Sequence, residues 1–188
     1  MKLFNEHGRR KYLNAAERKA FKNAAEKQPR EVRTFCLVIY YTGCRISEAL
    51  ALTSERVDWE ENTITFESLK KRNHGVFRSV PVPSSLVDIL DLVHALRQAP
   101  PKQRLWSWSR MTAYRKVKAV MAAAGLDGVK ATPKGLRHAF GVACNQKGVQ
   151  LNMAQKWLGH ADIRTTAIYS DAVGQEERNV AQRLWEDD

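Results

Sequence analysis

Apolar positions along the chain change period twice, dividing it into a helical stretch, a short alternating stretch and a second helical stretch. Asn14 followed by Glu17 has the spacing of a capping box, which predicts a helix to about residue 27. Pro29 interrupts it. The next helix, over 30 to 42, contains Phe35-Cys36-Leu37-Val38-Ile39-Tyr40-Tyr41, a run too apolar on every side to face water. Gly43 ends or bends it, and a helical segment resumes over 46 to 52. Then β-branched and aromatic residues alternate over 57–59, 63–66 and 76–82, predicting three strands joined by turns at Asn62 and at Arg72-Asn73-His74-Gly75. Helical spacing returns over 84–98, opened by Ser84 or Ser85 and stopped by Pro100-Pro101, and over 110–124, closed by Gly125. Thr132 before Pro133 is an N-cap with proline at the first helical position, opening a helix to about 147. Shorter helices are expected over 152–158, 162–168 and 175–185. The expected fold is mainly α with a small three-stranded antiparallel β-sheet, in one domain over 1–188. Residues 1–11 read as an extension and 175–188 as a C-terminal helix whose narrow apolar stripe of Val180, Leu184 and Trp185 suits either its own domain or docking onto a neighbouring protomer.

Charge changes this picture from a fold to a class of partner. Lys and Arg number 31 against 20 Asp and Glu, for a net charge of +11. Such an excess attracts polyanions, nucleic acid foremost, although a basic composition also occurs in proteins with no such partner. The excess lies mostly before residue 140, whereas the tail ends Glu186-Asp187-Asp188. No run of eighteen apolar residues suits a membrane span, and no signal-peptide-like stretch opens the chain. Cys36, Cys44 and Cys144 are scattered and odd in number, which argues against a disulfide framework or zinc finger and for a reducing, cytoplasmic setting.

Four segments place phosphate-binding groups beside a break in the backbone. In Thr42-Gly43-Cys44-Arg45-Ile46-Ser47-Glu48, the carboxylate lies three residues beyond Arg45 and can hold its guanidinium in one orientation; the same spacing also describes an ordinary surface ion pair. Lys70-Lys71-Arg72-Asn73-His74-Gly75 is a basic turn between strands, suited to a DNA groove or simply to solvent. In Thr132 to Phe140, Lys134, Arg137 and His138 share one helical face, while Leu136 and Phe140 face the core. The fourth segment sets His160 nine residues before Tyr169. Singly each reads as readily as structure; together they are the groups needed to attack a phosphodiester without metal.

Thr42-Gly43-Cys44-Arg45-Ile46-Ser47-Glu48-Ala49-Leu50, Leu136-Arg137-His138-Ala139-Phe140 and the run from Leu158 through Tyr169 resemble, in order and spacing, the three sequence boxes of tyrosine recombinases. That family includes phage integrases, Xer-type resolvases and fimbrial invertases, and the resemblance covers about residues 12 to 185. It implies that Arg45 and Arg137 clamp a scissile phosphate, Glu48 buttresses Arg45, His160 contacts the phosphate and Tyr169 is the nucleophile. Lys70 matches the family's hairpin lysine, with Lys71 the alternative; Lys71, Arg72 and Arg78 are expected DNA contacts. The second box usually reads His-x-x-Arg. Here Lys134 takes the histidine position, and His138, one residue after Arg137, is assigned a supporting role. The chemistry implied is site-specific recombination through a 3′-phosphotyrosyl intermediate, without metal or cofactor, by a homo-oligomer assembled on double-stranded DNA. The chain also resembles the short class that lacks the N-terminal DNA-clamping domain. The alternative is a DNA-binding accessory factor that regulates a host or full-length recombinase.

Overall fold

A computed structural model describes residues 2–68, 75–171 and 175–182. Helix α1 (Ala15–Glu26) opens with the expected capping box, the Asn14 side chain accepting from Glu17 N–H and the Glu17 carboxylate accepting from Asn14 N–H, both at 2.8 Å. Helix α2 (Arg30–Thr42) ends at Gly43, whose φ of 61° is the left-handed turn that a glycine makes without penalty. Close packing adds a second demand there, since a Cβ on Gly43 would lie 2.6 Å from the Phe140 ring. The short helix α3 (Ile46–Leu50) follows at once.

Strands β1 (Val57–Asp58), β2 (Thr63–Glu67) and β3 (Phe77–Pro81) form an antiparallel sheet in that order. The register pairs Ile64 with Val80 and Phe66 with Arg78, so these four share the inner face. On the outer face the Thr65 and Ser79 hydroxyls meet at 2.8 Å. The turn between β2 and β3, with Lys70, Lys71 and Arg72, lies outside the described residues.

Helix α4 (Ser84–His94) is shorter than the pattern predicts and is capped by Pro83 backbone rather than by a serine side chain. Its end precedes the proline pair because Asp91 intervenes. The Asp91 carboxylate accepts from the Arg97 N–H at 3.2 Å and pairs with the Arg97 side chain at 3.3 Å. The chain turns through Ala95 in the left-handed region, which buries Leu96. Helix α5 (Arg110–Ala123) is capped by the Ser109 hydroxyl. Helix α6 (Pro133–Gln146) is capped by Thr132, whose hydroxyl accepts from Gly135 N–H at 3.0 Å. Helices α7 (Leu151–Leu158) and α8 (Arg164–Ala167) lead into a 3-10 turn over Ile168–Asp171, so Tyr169 sits in the turn after the last short helix. The described part of α9 (Gln175–Gln182) runs beside α6 of the same chain. Among the described residues no helix is long and apolar enough to cross a membrane.

Two apolar clusters hold these elements together. The larger joins α1 to α5, the inner face of the sheet and Leu136 and Ala139 of α6. The smaller joins Leu3, Tyr12, Phe140, Val142, Cys144, Ala154, Leu158 and Tyr169. The expected N-terminal extension is therefore part of the domain: Leu3 is buried, Lys11 N–H donates to the Leu3 carbonyl at 2.7 Å, and Phe4 meets Tyr12 edge-on.

Candidate active site

The sharp turn at Gly43 places Arg45 at the N-cap of α3, with its side chain about one-third exposed at 35%. Glu48 reaches back one turn and accepts from the Arg45 backbone N–H and from its guanidinium, both at 2.8 Å. The carboxylate itself is 1% exposed. It survives there charged because Arg78 donates to both of its oxygens, at 2.7 and 3.3 Å. Burial opposes ionisation of Glu48, but Arg78 and Arg45 outweigh it and hold the carboxyl below its usual range.

Arg78 is thus misplaced among the expected DNA contacts. Strand alternation turns it inward beside Val80, and its Nε donates to the Trp157 carbonyl at 2.8 Å. A side chain so enclosed, with its donors committed within the protein, has no access to a DNA groove.

Arg137 comes from the buried face of α6 and bonds two backbone carbonyls, Gly43 at 2.7 Å and Leu158 at 2.6 Å. It thereby ties the ends of α2 and α7 to one guanidinium, a favourable place for positive charge at helix C-termini. Burial, reinforced by nearby Arg45, lowers its pKa to about 10, which leaves it charged at neutral pH. Past Leu158, the left-handed Gly159 turns the chain so that His160 enters the site. The His160 Nδ1 lies 2.9 Å from the Thr166 hydroxyl, and its ring stacks on Tyr169 with centroids 6.2 Å apart.

Tyr169 is 1% exposed. Its ring lies over Gly141, where a Cβ would come within 2.3 Å, so a glycine in α6 makes the space. Its hydroxyl is 3.4 Å from the His138 Nδ1, a long contact. Burial pushes the phenol up to about 12, against the pull of Arg137 and Arg45. His138 is driven the other way, to about 4, by burial and then by the positive charges of Lys134 and Arg137. It is therefore neutral, and its buried Nε2 has no hydrogen-bond partner among the described residues.

A cleft of about 750 Å³ opens over these groups, lined by Arg45, Lys134, Arg137, His138 and His160. Lys134 is exposed at its rim, on the opening turn of α6. The structure brings five of the predicted residues to the cleft and stores Tyr169 behind the two histidines. Lys70 and Lys71 lie outside the described residues. Three contributors were missed by sequence reasoning. Lys11 and Arg110 line the cleft, and neither belongs to a recognisable box. Thr166 holds His160, and its signal was present in its position within the box that ends at Tyr169.

The cleft can hold an anion between fixed cations, with a phenol in reserve, and comparison with known proteins gives the arrangement a context. The chain is 28% identical over 162 residues to tyrosine recombinase XerA of Pyrococcus furiosus, covering 80% of this chain and 54% of that one. It is 33% identical over 153 residues to tyrosine recombinase XerD of Brucella abortus, covering 74% and 47%. The chain thus spans about half the length of these relatives. The crystal structure of XerA recombinase superposes with a TM-score of 0.79 at 26% identity, covering 92% of this chain and 64% of that one. The post-cleavage complex of XerH recombinase with palindromic difH substrate shares the fold, with a TM-score of 0.77 at 24% identity over 99% of this chain and 57% of that one. The model of the phage integrase family matches residues 11–176, and the chain belongs to that family, the tyrosine recombinases.

Proposed function

We propose that the chain cleaves and rejoins duplex DNA by transesterification, with Tyr169 as nucleophile. The observation that carries this reading is the convergence of Arg45, Arg137, Lys134 and His160 on one cleft, with the Tyr169 ring stacked on His160 at its inner wall. A scissile phosphate in the cleft meets guanidinium donors from Arg45 and Arg137, and fixed cations there stabilise the charge that builds on its nonbridging oxygens. Tyr169 loses its phenol proton to water as its oxygen bonds to phosphorus, the bond to the 5′ oxygen breaks and that oxygen takes up a proton; a 5′ hydroxyl from a partner strand reverses the step. Lys70, with Lys71 the alternative, supplies that proton, and His160 and Lys134 donate to the phosphate.

The resting hydroxyl is not nucleophilic. A phenol near 12 facing an imidazole near 4 does not give up its proton, so His138 is a poor base in this arrangement. A phosphate bound beside Arg45 and Arg137 changes that by drawing Tyr169 out of its apolar pocket, which relieves the burial that raises its pKa.

Relatives are recombinases, and one neighbour of the same fold, XerH, is bound to its difH substrate. Double-stranded DNA is accordingly the proposed partner, with Lys71 and Arg72 as groove contacts and a homo-oligomer assembling on the site. The C-terminal segment is the proposed contact between protomers, and the cytoplasm the proposed compartment. The accessory-factor reading gains no support from a site that retains Arg45, Arg137, His160 and Tyr169. Duplexes selected from a random library by binding, then nicked beside each candidate phosphate, test the proposal. The expected result is a covalent protein–DNA adduct on denaturing gels that Tyr169→Phe abolishes while DNA affinity stays within about threefold. No adduct on any selected duplex, or an adduct surviving in Tyr169→Phe, overturns it.

A further inference from the structure

Glu48 is held from four directions, and only part of that hold comes from the arginine it buttresses. Its Oε1 accepts from Arg45 Nη1 at 2.8 Å and Arg78 Nη1 at 3.3 Å; its Oε2 accepts from Arg78 Nη2 at 2.7 Å and the Arg45 backbone N–H at 2.8 Å. A carboxylate with donors on both oxygens cannot rotate, and neither can a guanidinium bonded to it. Arg78 is fixed in turn by the Trp157 carbonyl, by the Phe66 ring with its centroid 5.2 Å away, and by Gly159, where a Cβ would come within 2.9 Å of the guanidinium. The side chains of Arg78 and Glu48 are 7% and 1% exposed, so water cannot replace these bonds.

We propose that Arg78 is a positioning residue for Arg45, acting through Glu48 from a strand that the phosphate never touches. Without Arg78 the buried carboxylate has a single cationic partner. It turns toward Arg45 and draws that guanidinium inward, away from the cleft. With Arg78 in place both oxygens of Glu48 are occupied, and the remaining Arg45 donors face the cleft. The bond to Trp157 also references Arg45 to the turn that carries His160, so the two sides of the cleft are set from one buried cation.

Lysine at position 78 keeps the charge but lacks the fork that reaches both carboxylate oxygens and the Trp157 carbonyl together. Two measurements on the full chain decide the matter. The first is independent of activity: ¹⁵N side-chain NMR of Arg45, assigned by Arg45→Lys. Slow rotation of the Arg45 guanidinium in the native protein that becomes fast in Arg78→Lys is expected; unchanged Arg45 signals overturn the proposal. The second rests on the proposed function and reads adduct formation. Arg78→Lys is expected to cleave at least about tenfold more slowly with DNA affinity within about threefold, and to add little loss on top of Arg45→Ala, because two changes acting through one group are not additive. Multiplicative losses, or a loss that tracks DNA affinity, overturn it. If the native protein forms no adduct, the proposed function fails while the NMR result still decides the role of Arg78. Arg78→Met serves the same measurements if Arg78→Lys does not fold, and failure of both to fold makes Arg78 structural and ends the proposal.

Discussion

The two apolar clusters are built to different ends. The larger consists of aliphatic and aromatic side chains from elements that follow one another along the chain, with Phe35 packed edge-on against Trp106 at 5.0 Å and Trp108 at 5.4 Å. The smaller gathers pieces from opposite ends of the sequence, Leu3 and Tyr12 with Leu158 and Tyr169, and is bordered by buried Arg137, His138, His160 and Thr166. Trp157 packs against both. Both clusters have buried polar neighbours, but those of the larger, Glu48 and Arg78, bind one another, whereas those of the smaller, His138 and His160, stand against the Tyr169 ring and line the cleft. The proposed nucleophile is thus kept beside groups that also line the cleft, and the scaffold beside groups that bind one another.

The sharpest break in this comparison comes from the polar border. Arg137→Ala is expected to slow adduct formation at least about a hundredfold, the scale of losing one transition-state donor, and Arg137→Lys is also expected to be impaired because an ammonium cannot bond two carbonyls and a phosphate in one plane. Cleavage at the native rate by Arg137→Ala would detach the border from the chemistry. In the scaffold, Phe35→Ala is expected to cost about 3–5 kcal/mol in chemical denaturation. Leu3→Ala, at the edge of the smaller cluster, should cost about 2 kcal/mol and speed hydrogen exchange near Tyr169 before that of α2. Equal loss and uniform exchange in the two variants would show a single cooperative core.

Gly141→Ala probes the pocket more gently. Its new methyl overlaps the Tyr169 ring, which must leave, so the phenol is expected to titrate well below about 12 when followed at the tyrosinate absorbance. An unshifted titration would show that the ring stays and the backbone gives way. Acid supplies a further test. His138 is lowered to about 4 in the folded chain from an ordinary value of 6.5, so the unfolded state takes up a proton first. The stability due to neutral His138 is complete above about 6.5, declines as pH falls toward about 4 and is lost below it. His94, also lowered by burial to about 4, contributes in the same window from the side of the larger cluster. His138→Asn should flatten the fall in melting temperature across that range only in part, and an unchanged slope would assign it to His94. The smallest effect is expected at the cleft rim: Lys134→His should keep or raise adduct formation, since either side chain donates to a phosphate, and complete loss would give Lys134 a role of its own.

Much of the scaffold was legible because its signals are local. The capping box at Asn14, the break at Gly43 and the Thr132-Pro133 opening of α6 each fix an element through neighbours within four residues. The early end of α4 was not, because Asp91 stops it by reaching forward to Arg97, an interaction that no apolar period records. The cleft residues of the three boxes were readable from type and spacing, and α6 delivers Lys134, Arg137 and His138 to one place. Arg78 was misjudged although its signal was present. The alternation Phe77-Arg78-Ser79-Val80 puts Arg78 on the inner face with Val80, and that period is a stronger guide to its place than its charge. Lys11 could not have been found, since it reaches the cleft through the folding of residues 3–12 onto α6, a long-range event.

That folding has a practical consequence for anyone handling the protein. Leu3 belongs to the same apolar cluster as Tyr169, so the segment around it and the tyrosine share one packing unit. An affinity tag, fluorophore or fusion partner joined ahead of residue 3 is expected to disturb the cluster that also holds Tyr169. A label attached at exposed Leu92, on α4, sits instead on an element packed into the larger cluster and leaves the tyrosine pocket alone.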